Sequence, residues 1–507
     1  MDATEVRDEP PGPRAEPRPV RVPRNEGPAP GDRGPDGTAG AAGRLGTAGA
    51  VDKLASRVAR RIEAEVIAQG WPVGEVLDSE PVLRERYGVS RTVLREAARL
   101  LEHHQVARMR RGPGGGLVVC APDAEPTVAA MVVYIEYLGT DLRDVLHARR
   151  LIEPVLGRLA AERIDEDGIA RLRETHAAEL SPARAAEWAG GLFHTVLSEM
   201  TRNPVLQVFI EVLEQLAYRY VALAQPMPEG EVRRFTGTSH HRHAAILDAT
   251  VAGDAPRAQV ELIKHLDEVT GWFRDAIGED GTGEGPAVRL APEPVGLAAG
   301  RTLAEVVAMR IYEDIVRERM EAGTVLGSES ELMERYETSR AVLRAAVRLL
   351  EHHSVAMSRR GPGGGLVVTH QEPRAAIDAT ALYLAYRRAA PADLLVVREA
   401  IEVGLVAQLA ARRDEPEVAA RLAATRDRLG RPRGTEPDRD FHAELAELAG
   451  NPVLTLFLRI ITELSSRTGA PGGCGDRGGA RHPMILDAIL DGDASLAQYR
   501  MRRHLSA

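Results

Sequence analysis

Two cysteines, Cys120 and Cys474, stand far apart in 507 residues with no C-x-x-C spacing. That excludes a disulfide scaffold and a thiolate zinc site. Aromatic residues make up only 4% of the chain, so its cores are left to Leu, Val, Ala and Ile, which suit helix packing. Of the 65 basic residues only Lys53 and Lys264 are lysine; this reads as a compositional bias and is not itself a sign of nucleic-acid binding. No apolar run approaches the roughly 18 residues of a membrane span. Charges and prolines stand where a signal peptide has its apolar core, so a reducing cytoplasm is expected. There is no nucleophile–base signature, and "GPGGG" lacks the Lys-Ser/Thr of a phosphate-binding loop. The net charge of −9 excludes nothing, because the distribution of charge matters more than its sum.

What the chain does have is a second copy of itself. "RLLEHHSVAMSRRGPGGGLVV" repeats "RLLEHHQVARMRRGPGGGLVV" at an offset of 249, and "FH" (Phe193-His194, Phe441-His442) and "NPVL" (Asn203–Leu206, Asn451–Leu454) recur at 248. A last landmark, His-x2-Ile-Leu-Asp-Ala from His243 and His482, recurs at 239, so the second copy has lost residues in a loop. A unit of this size is too long for a solenoid repeat, and each copy is a pair of domains. The Pro/Gly-rich segment 1–50 reads as a disordered tail and 278–300 as a linker.

Each unit opens with an apolar-periodic segment, then a short helix, a break, and a longer helix for which Ser90 or Ser339 is the expected N-cap. A Gly tip between two short strands completes a three-helix, two-stranded winged helix-turn-helix, expected at 51–121 and again at 301–370. The second helix of such a pair presents its N-terminal end to the DNA major groove while the wing tracks the backbone. Arg91, Thr92 and Arg95 lie at that end in the first unit, and Arg340 and Arg344 in the second; arginines at i and i+4 share a face and can bond guanine or phosphate. On the wings, Arg110 and Arg111 flank the tip at Gly114, and Arg359 and Arg360 the tip at Gly363. From Ser79 to Arg111 eight arginines face four glutamates, whereas from Ser328 to Arg360 six face five. The acidic total hides a locally basic reader, stronger in the first unit.

The stretch "GEVLDSEPVLRERYGVSRTVLREAARLLEHH…RRGPGGGLVV" resembles the winged helix-turn-helix of GntR-family bacterial transcriptional regulators. The segment C-terminal to it is similar to the all-helical FCD ligand domain of the FadR subfamily, here at 122–277 and 371–507. The resemblance covers both units and implies a mainly α protein: a winged helix-turn-helix plus an antiparallel helical bundle, the pair repeated twice. The chain departs from the family pattern at three points. Asp78 and Gly327 replace the usual Pro before the second helix, Pro81 and Ser330 stand where some members carry a base-contacting Arg, and the turn residue Gly88 becomes Glu337.

In the second unit Asp438 and His442 lie one helical turn apart, with His482 and His504 beyond, 22 residues from each other. A carboxylate and imidazole one turn apart plus two further imidazoles make a four-ligand divalent metal site, for Zn, Ni or Mn; they also match the ligand pattern of metal-binding FCD domains. The first unit has His194, His243 and His265, but Gly190 stands in the aspartate's place, so a metal is expected there less than in the second. Whether His240 and His241 compensate is open. The resemblance further implies that Arg149 and Arg398 help the metal hold a small organic acid. Read without it, each is one half of an i,i+4 pair on a helix surface, with Glu153 or Glu402.

These readings converge on a sequence-specific DNA-binding regulator modulated by a small effector of the carboxylate class, with two reader–sensor units in one chain. The partners expected are a double-stranded operator and the acid, without a membrane. The two units are expected to act as an intrachain pseudo-dimer, with pairing of two chains left open. Two other readings exist: a protein-interaction scaffold with decayed readers, and a metal-dependent enzyme using Asp438, His442, His482 and His504. Catalysis would not explain two winged readers, so no enzyme is expected.

Overall fold

The structure, a computed structural model, describes residues 43–507 except 113, 180–188, 224–228, 278–302, 319, 353–354, 360–363, 370–372, 430–440, 469–480 and 507. The first reader comprises α1 (Gly43–Ala68), α2 (Glu80–Tyr87), α3 (Arg91–His103), β1 (Ala107–Arg110) and β2 (Gly116–Val119). Helix α1 therefore begins inside the segment expected to be a disordered tail; the remainder of that segment, and the linker expected at 278–300, lie outside the described residues. The first helical domain comes next as α4 (Ala124–Tyr137), α5 (Leu142–Arg163), α6 (Glu166–Ala178), α7 (Ala189–Met200), α8 (Pro204–Leu223), α9 (Glu229–Val251) and α10 (Ala255–Ile277).

The second unit repeats the order. Its reader is α11 (Leu303–Arg317), β3 (Val325–Gly327), α12 (Glu329–Arg335), α13 (Arg340–His352), β4 (Ala356–Arg359) and β5 (Gly365–Val368). Its helical domain is α14 (Pro373–Tyr386), α15 (Pro391–Ala411), α16 (Pro416–Leu429), α17 (Phe441–Ala449), α18 (Pro452–Thr468), α19 (His482–Leu490) and α20 (Ala494–Leu505).

The wings depart from a plain hairpin. Strands β1 and β2 pair antiparallel from Ala107↔Val119 to Arg110↔Gly116, and Val76 adds a bridge to Val118. In the second reader that bridge has become a strand, giving the antiparallel order β3-β5-β4. The two-stranded expectation thus missed the segment before the second helix, which hydrogen-bonds to the second wing strand in both units, as Leu77 N to Leu117 O (2.8 Å) and Val368 N to Thr324 O (2.9 Å).

The repeated Asn-Pro has a local cause. Asn203 Oδ1 accepts from Val205 N (3.0 Å) and Leu206 N (3.1 Å), and Asn451 Oδ1 from Leu454 N (3.1 Å). Each Asn caps a helix whose first residue is Pro, where a missing N–H costs nothing. The remaining amide of each cap reaches across to the other unit: Asn203 Nδ2 donates to Asp393 O (3.1 Å) and Asn451 Nδ2 to Asp144 O (2.9 Å). Such reciprocal bonds define a two-fold-like interface. On it, Phe209 stacks on Phe457 with centroids 3.8 Å apart, worth about 0.5–1.5 kcal/mol beyond the area buried. Gly404 lets α15 approach α5, since a Cβ there would meet Leu151 Cδ2 at 2.5 Å. The two helical domains consequently share one continuous apolar core.

Each reader touches the helical domain of the opposite unit. Trp71, just after α1, lies 5.4 Å from the Tyr386 ring, and Arg388 Nη2 donates to Gly70 O (3.2 Å). On the other side Tyr312 of α11 donates to Val133 O of α4 (2.7 Å), and Val133 packs against the core of the second reader.

Candidate DNA-reading and metal-binding sites

The DNA-reading face is built from caps outward. Ser90 Oγ accepts from Val93 N (3.3 Å) and Ser339 Oγ from Val342 N (3.4 Å), so both long helices start where the sequence places them. Val93, Leu94, Ala97 and Leu101 bury one face of α3, which leaves Arg91, Thr92 and Arg95 exposed at its N-terminal end. Arg340 and Arg344 are exposed in the same way on α13. Acidic neighbours hold some of these arginines: Glu80 bonds Arg91 (2.7 Å), and Glu329 bonds Arg344 (2.7 Å) and approaches Arg340 (3.8 Å). Among exposed surface pairs such bonds are worth little, so phosphate can displace them.

Arg110 folds back on the wing, donating to Gly114 O (2.9 Å), while Arg111 is exposed. The glycines serve the turn itself. Gly112 and Gly114 have φ of 100° and 70°, and a Cβ on Gly115 would lie 2.3 Å from Arg110 O. Arg359 is exposed on β4; Arg360 and Gly363 lie outside the described residues. The turn between the paired helices has the same left-handed residue in both units, Gly88 at φ 63° and Glu337 at φ 48°. A glutamate there costs about 1–2 kcal/mol of backbone strain.

The histidines come together as the spacing predicts. In the first helical domain α7, α9 and α10 bring His194, His243 and His265 into the interior, each at most 4% exposed. His194 Nε2 and His243 Nε2 lie 3.2 and 3.4 Å from His265 Nε2. In the second, His442 (α17) and His482 (α19) point Nε2 at His504 Nε2 (α20) at 3.1 and 3.2 Å. Asp438 lies outside the described residues.

Carboxylates behind the rings fix the tautomers. His243 Nδ1 donates to Glu179 (2.6 Å) and His442 Nδ1 to Glu402 (2.5 Å), and His194 Nδ1 lies 2.7 Å from Glu153 Oε2. With the proton on Nδ1, the Nε2 lone pairs of His194, His243 and His442 face the Nε2 of His265 or His504, and a divalent cation at that point would be within reach of all three rings. Metal–nitrogen bonds of about 2.1 Å place neighbouring ligand nitrogens about 3.0 Å apart in octahedral and about 3.4 Å in tetrahedral geometry. The observed spacings fall in that range, and carboxylate–histidine pairs are the usual support of metal ligands. Burial, with the neighbouring histidines and Arg149 behind it, holds His243 and His265 well below the usual imidazole range, which keeps both neutral and able to ligate.

Two expectations need correction. Arg149 and Arg398 are not surface residues but 3% and 6% exposed, and their glutamates serve two donors. Arg149 Nε bonds Glu153 (2.5 Å) as Arg398 Nε bonds Glu402 (2.6 Å). Burial alone would raise both carboxyls; the arginine and histidine beside each bring Glu153 and Glu402 down to about 2. Nor is the first site poor in carboxylates for want of an aspartate at Gly190. Glu153, Glu179 and Glu214 surround it, and Glu214 Oε1 takes the second arm of Arg149 (2.5 Å). His240 joins Glu179 (3.0 Å) outside the triad, and His241 is exposed. Spacing rules did not reveal Glu179 and Glu214. For Glu214 a signal existed: a charge among Val212, Leu213, Leu216 and Ala217 on a buried helix face.

In the second domain a cavity of about 230 Å³ opens beside His442, its lining including Glu402, Glu463, Arg459, Thr455 and Thr462 together with apolar side chains. No helix among the described residues is long and apolar enough to cross a membrane.

Comparison with known proteins finds two matching families, each represented twice. The FCD domain matches residues 144–268 and 393–507, and the gntR family of bacterial regulatory proteins matches 54–117 and 303–366. The chain is 27% identical over 231 residues to the Uxu operon regulator of Haemophilus influenzae, covering 43% of this chain and 81% of that one. It is 25% identical to the HTH-type transcriptional regulator LutR of Bacillus subtilis, covering 40% and 95%. With the HTH-type transcriptional repressor NanR of Cronobacter sakazakii it shares 26%, covering 43% and 84%. A solved Streptococcus agalactiae GntR aligns at 19% identity and a TM-score of 0.30 over 42% of this chain and 98% of its own. Each alignment spans about one unit of the two. The chain belongs to the GntR family of bacterial transcriptional regulators, FadR subfamily, with the winged helix-turn-helix and FCD pair present twice in tandem.

Proposed function

We propose that the chain is a cytoplasmic, non-enzymatic regulator whose two readers grip one operator as a covalent pseudo-dimer. Its helical domains are the sensors: each takes a divalent metal (Zn, Ni or Mn) on its His triad, with Asp438 added in the second, and the metal with Arg398 or Arg149 recognises a small organic acid. The observation that carries the sensor reading is the convergence of three buried Nε2 atoms, 3.1–3.4 Å from the central one, in both units. When bound, the metal supplies open coordination positions for a carboxylate. The chain's own residues do the rest: Glu402 and Glu153 fix the imidazole protons, and the 230 Å³ cavity suits a small acid. For the readers, Arg91, Thr92, Arg95, Arg340 and Arg344 enter the groove, and the wings (Arg110, Arg111, Gly114, Arg359, Arg360, Gly363) track phosphates. The divisions at 51–121, 122–277, 301–370 and 371–507 go with this reading, 278–300 being the tether that makes the second half-site contact intramolecular.

Selection of random duplex DNA on the full-length protein, at stated salt and with metal present and absent, tests it. Enrichment of a site with two related but unequal half-sites supports the covalent pseudo-dimer, because the readers differ. Absence of any enriched site favours the scaffold reading, motivated by the nearly neutral second reader.

A further inference from the structure

The matching starts of α8 and α18 fix the register between the two sensors residue by residue. Asn203 corresponds to Asn451, and in the same frame Glu214 corresponds to Thr462. The second sensor thus carries a small hydroxyl where the first carries a carboxylate. Thr462 is exposed and lines the cavity with Glu402 and His442. Glu214 is buried, 6% exposed, and its Oε1 lies 2.5 Å from Arg149 Nη2. A carboxylate oxygen of Glu214 also falls within 4.8 Å of an oxygen of Glu153 and a ring nitrogen of His194. The carboxylate is therefore bonded to the guanidinium and close to His194 of the triad, the place the reading above gives to an organic acid.

We infer that Glu214 is a tethered carboxylate filling the acid seat of the first sensor, so that the chain answers a small organic acid through its second sensor alone. The inference rests on the organic-acid reading above. A free acid entering the first sensor would have to break a buried, charge-assisted pair and find room for the expelled side chain. It would also compete with a group held permanently at high effective concentration. In the second sensor Thr462 poses neither obstacle. The first sensor is then locked in its liganded arrangement, and one chain gives a single-site response from a duplicated frame.

Reciprocal exchange of the two residues tests this. Full-length protein loaded with Mn²⁺, its metal content measured, is titrated calorimetrically with acetate, lactate, succinate and citrate. Wild type is expected to bind one acid per chain, Glu214→Thr two, Thr462→Glu none, and the double exchange one. Thr462 is exposed, so Thr462→Glu keeps the inference testable even if Glu214→Thr does not fold. Two acids per wild-type chain would overturn it, as would one acid per Glu214→Thr chain with metal content unchanged. Loss of one metal equivalent in Glu214→Thr would also overturn it, by making Glu214 a ligand of the ion. If no acid binds wild type or any variant, the organic-acid reading itself falls, and this inference with it.

Discussion

Glu402→Gln separates the two duties of a single buried carboxylate. Glu402 Oε2 accepts from His442 Nδ1 at 2.5 Å and Oε1 from Arg398 Nε at 2.6 Å. Glutamine keeps the shape but offers one acceptor and one donor. If its NH2 faces His442, Nδ1 must accept, the ring proton moves to Nε2, and that lone pair leaves the triad. Loss of such a supporting partner typically lowers metal affinity 10–100-fold, or about 1.4–2.8 kcal/mol. If its NH2 faces Arg398 instead, the tautomer survives, but the guanidinium, which loses the Glu402 charge in either orientation, also meets a donor in place of its acceptor, at about 3–5 kcal/mol of stability. One of the two losses must therefore appear. Competition of Zn²⁺ against a chromophoric chelator reads the first, and denaturant unfolding of the metal-free protein reads the second. Metal affinity within twofold of wild type together with an unchanged unfolding midpoint would refute the assigned role of Glu402 and the tautomer argument behind the metal site.

The double variant Arg91→Ala, Arg95→Ala should flatten the salt dependence of operator binding by up to about 0.9 for each phosphate no longer neutralised, or cost about 1–3 kcal/mol for each base contact; anisotropy at two salt concentrations measures this, and unchanged affinity would count against the first reader. Glu337→Gly should stabilise the second reader by about 1 kcal/mol, because relief of left-handed strain exceeds the added chain entropy; hydrogen exchange in α12 and α13 reports it. Burial, with Asp141 beside it, pushes Asp144 up to about 6, above its unfolded value, so its contribution is fully present at low pH and is lost as pH rises through 6. The stability of Asp144→Asn relative to wild type should accordingly rise by about 1 kcal/mol between pH 4 and pH 7.5, after allowance for partial exposure, and parallel urea midpoints would contradict this. Tyr386→Ala should weaken the coupling between acid and DNA, ordinarily about 5–150-fold, while leaving each able to bind alone; titration of acid with and without operator is the check.

The duplication, the paired helices, the wing and the histidine sets were all legible in the sequence, because each depends on local period, caps or fixed spacing. Glu337 at positive φ could be anticipated from Gly88 once the copies were aligned. The carboxylates behind the histidines were not legible. Glu153 and Glu402 sit at the i+4 spacing of an ordinary surface pair, and only helix packing decides that this face turns inward. Glu179 comes from the end of a different helix, α6, and no sequence period links it to His243. The third wing strand escaped because the segments at Val76 and Val325 are only a few residues long and pair with a strand about 40 residues further on, through backbone bonds such as Leu77 N to Leu117 O (2.8 Å) that no local period announces.

Fusion explains why the halves diverge where they do. In a homodimer every substitution appears twice, so an interface and its sites must change together. Here the interface kept its symmetry: Asn203 to Asp393 mirrors Asn451 to Asp144, and Phe209 meets its own counterpart Phe457. The sites did not, as Gly88 against Glu337, Gly190 against Asp438 and Glu214 against Thr462 show. The crossed contacts give that asymmetry a direction. The first reader, the more basic one, rests through Trp71 and Gly70 on Tyr386 and Arg388 of the second sensor. The second reader, strained at Glu337, rests through Tyr312 on the first sensor. A ligand shifts an equilibrium only through contacts that differ between its states. On the inference above, an acid seated beside Thr462 would act most directly on the first reader, while the first sensor, filled by Glu214, would offer the second reader a constant support.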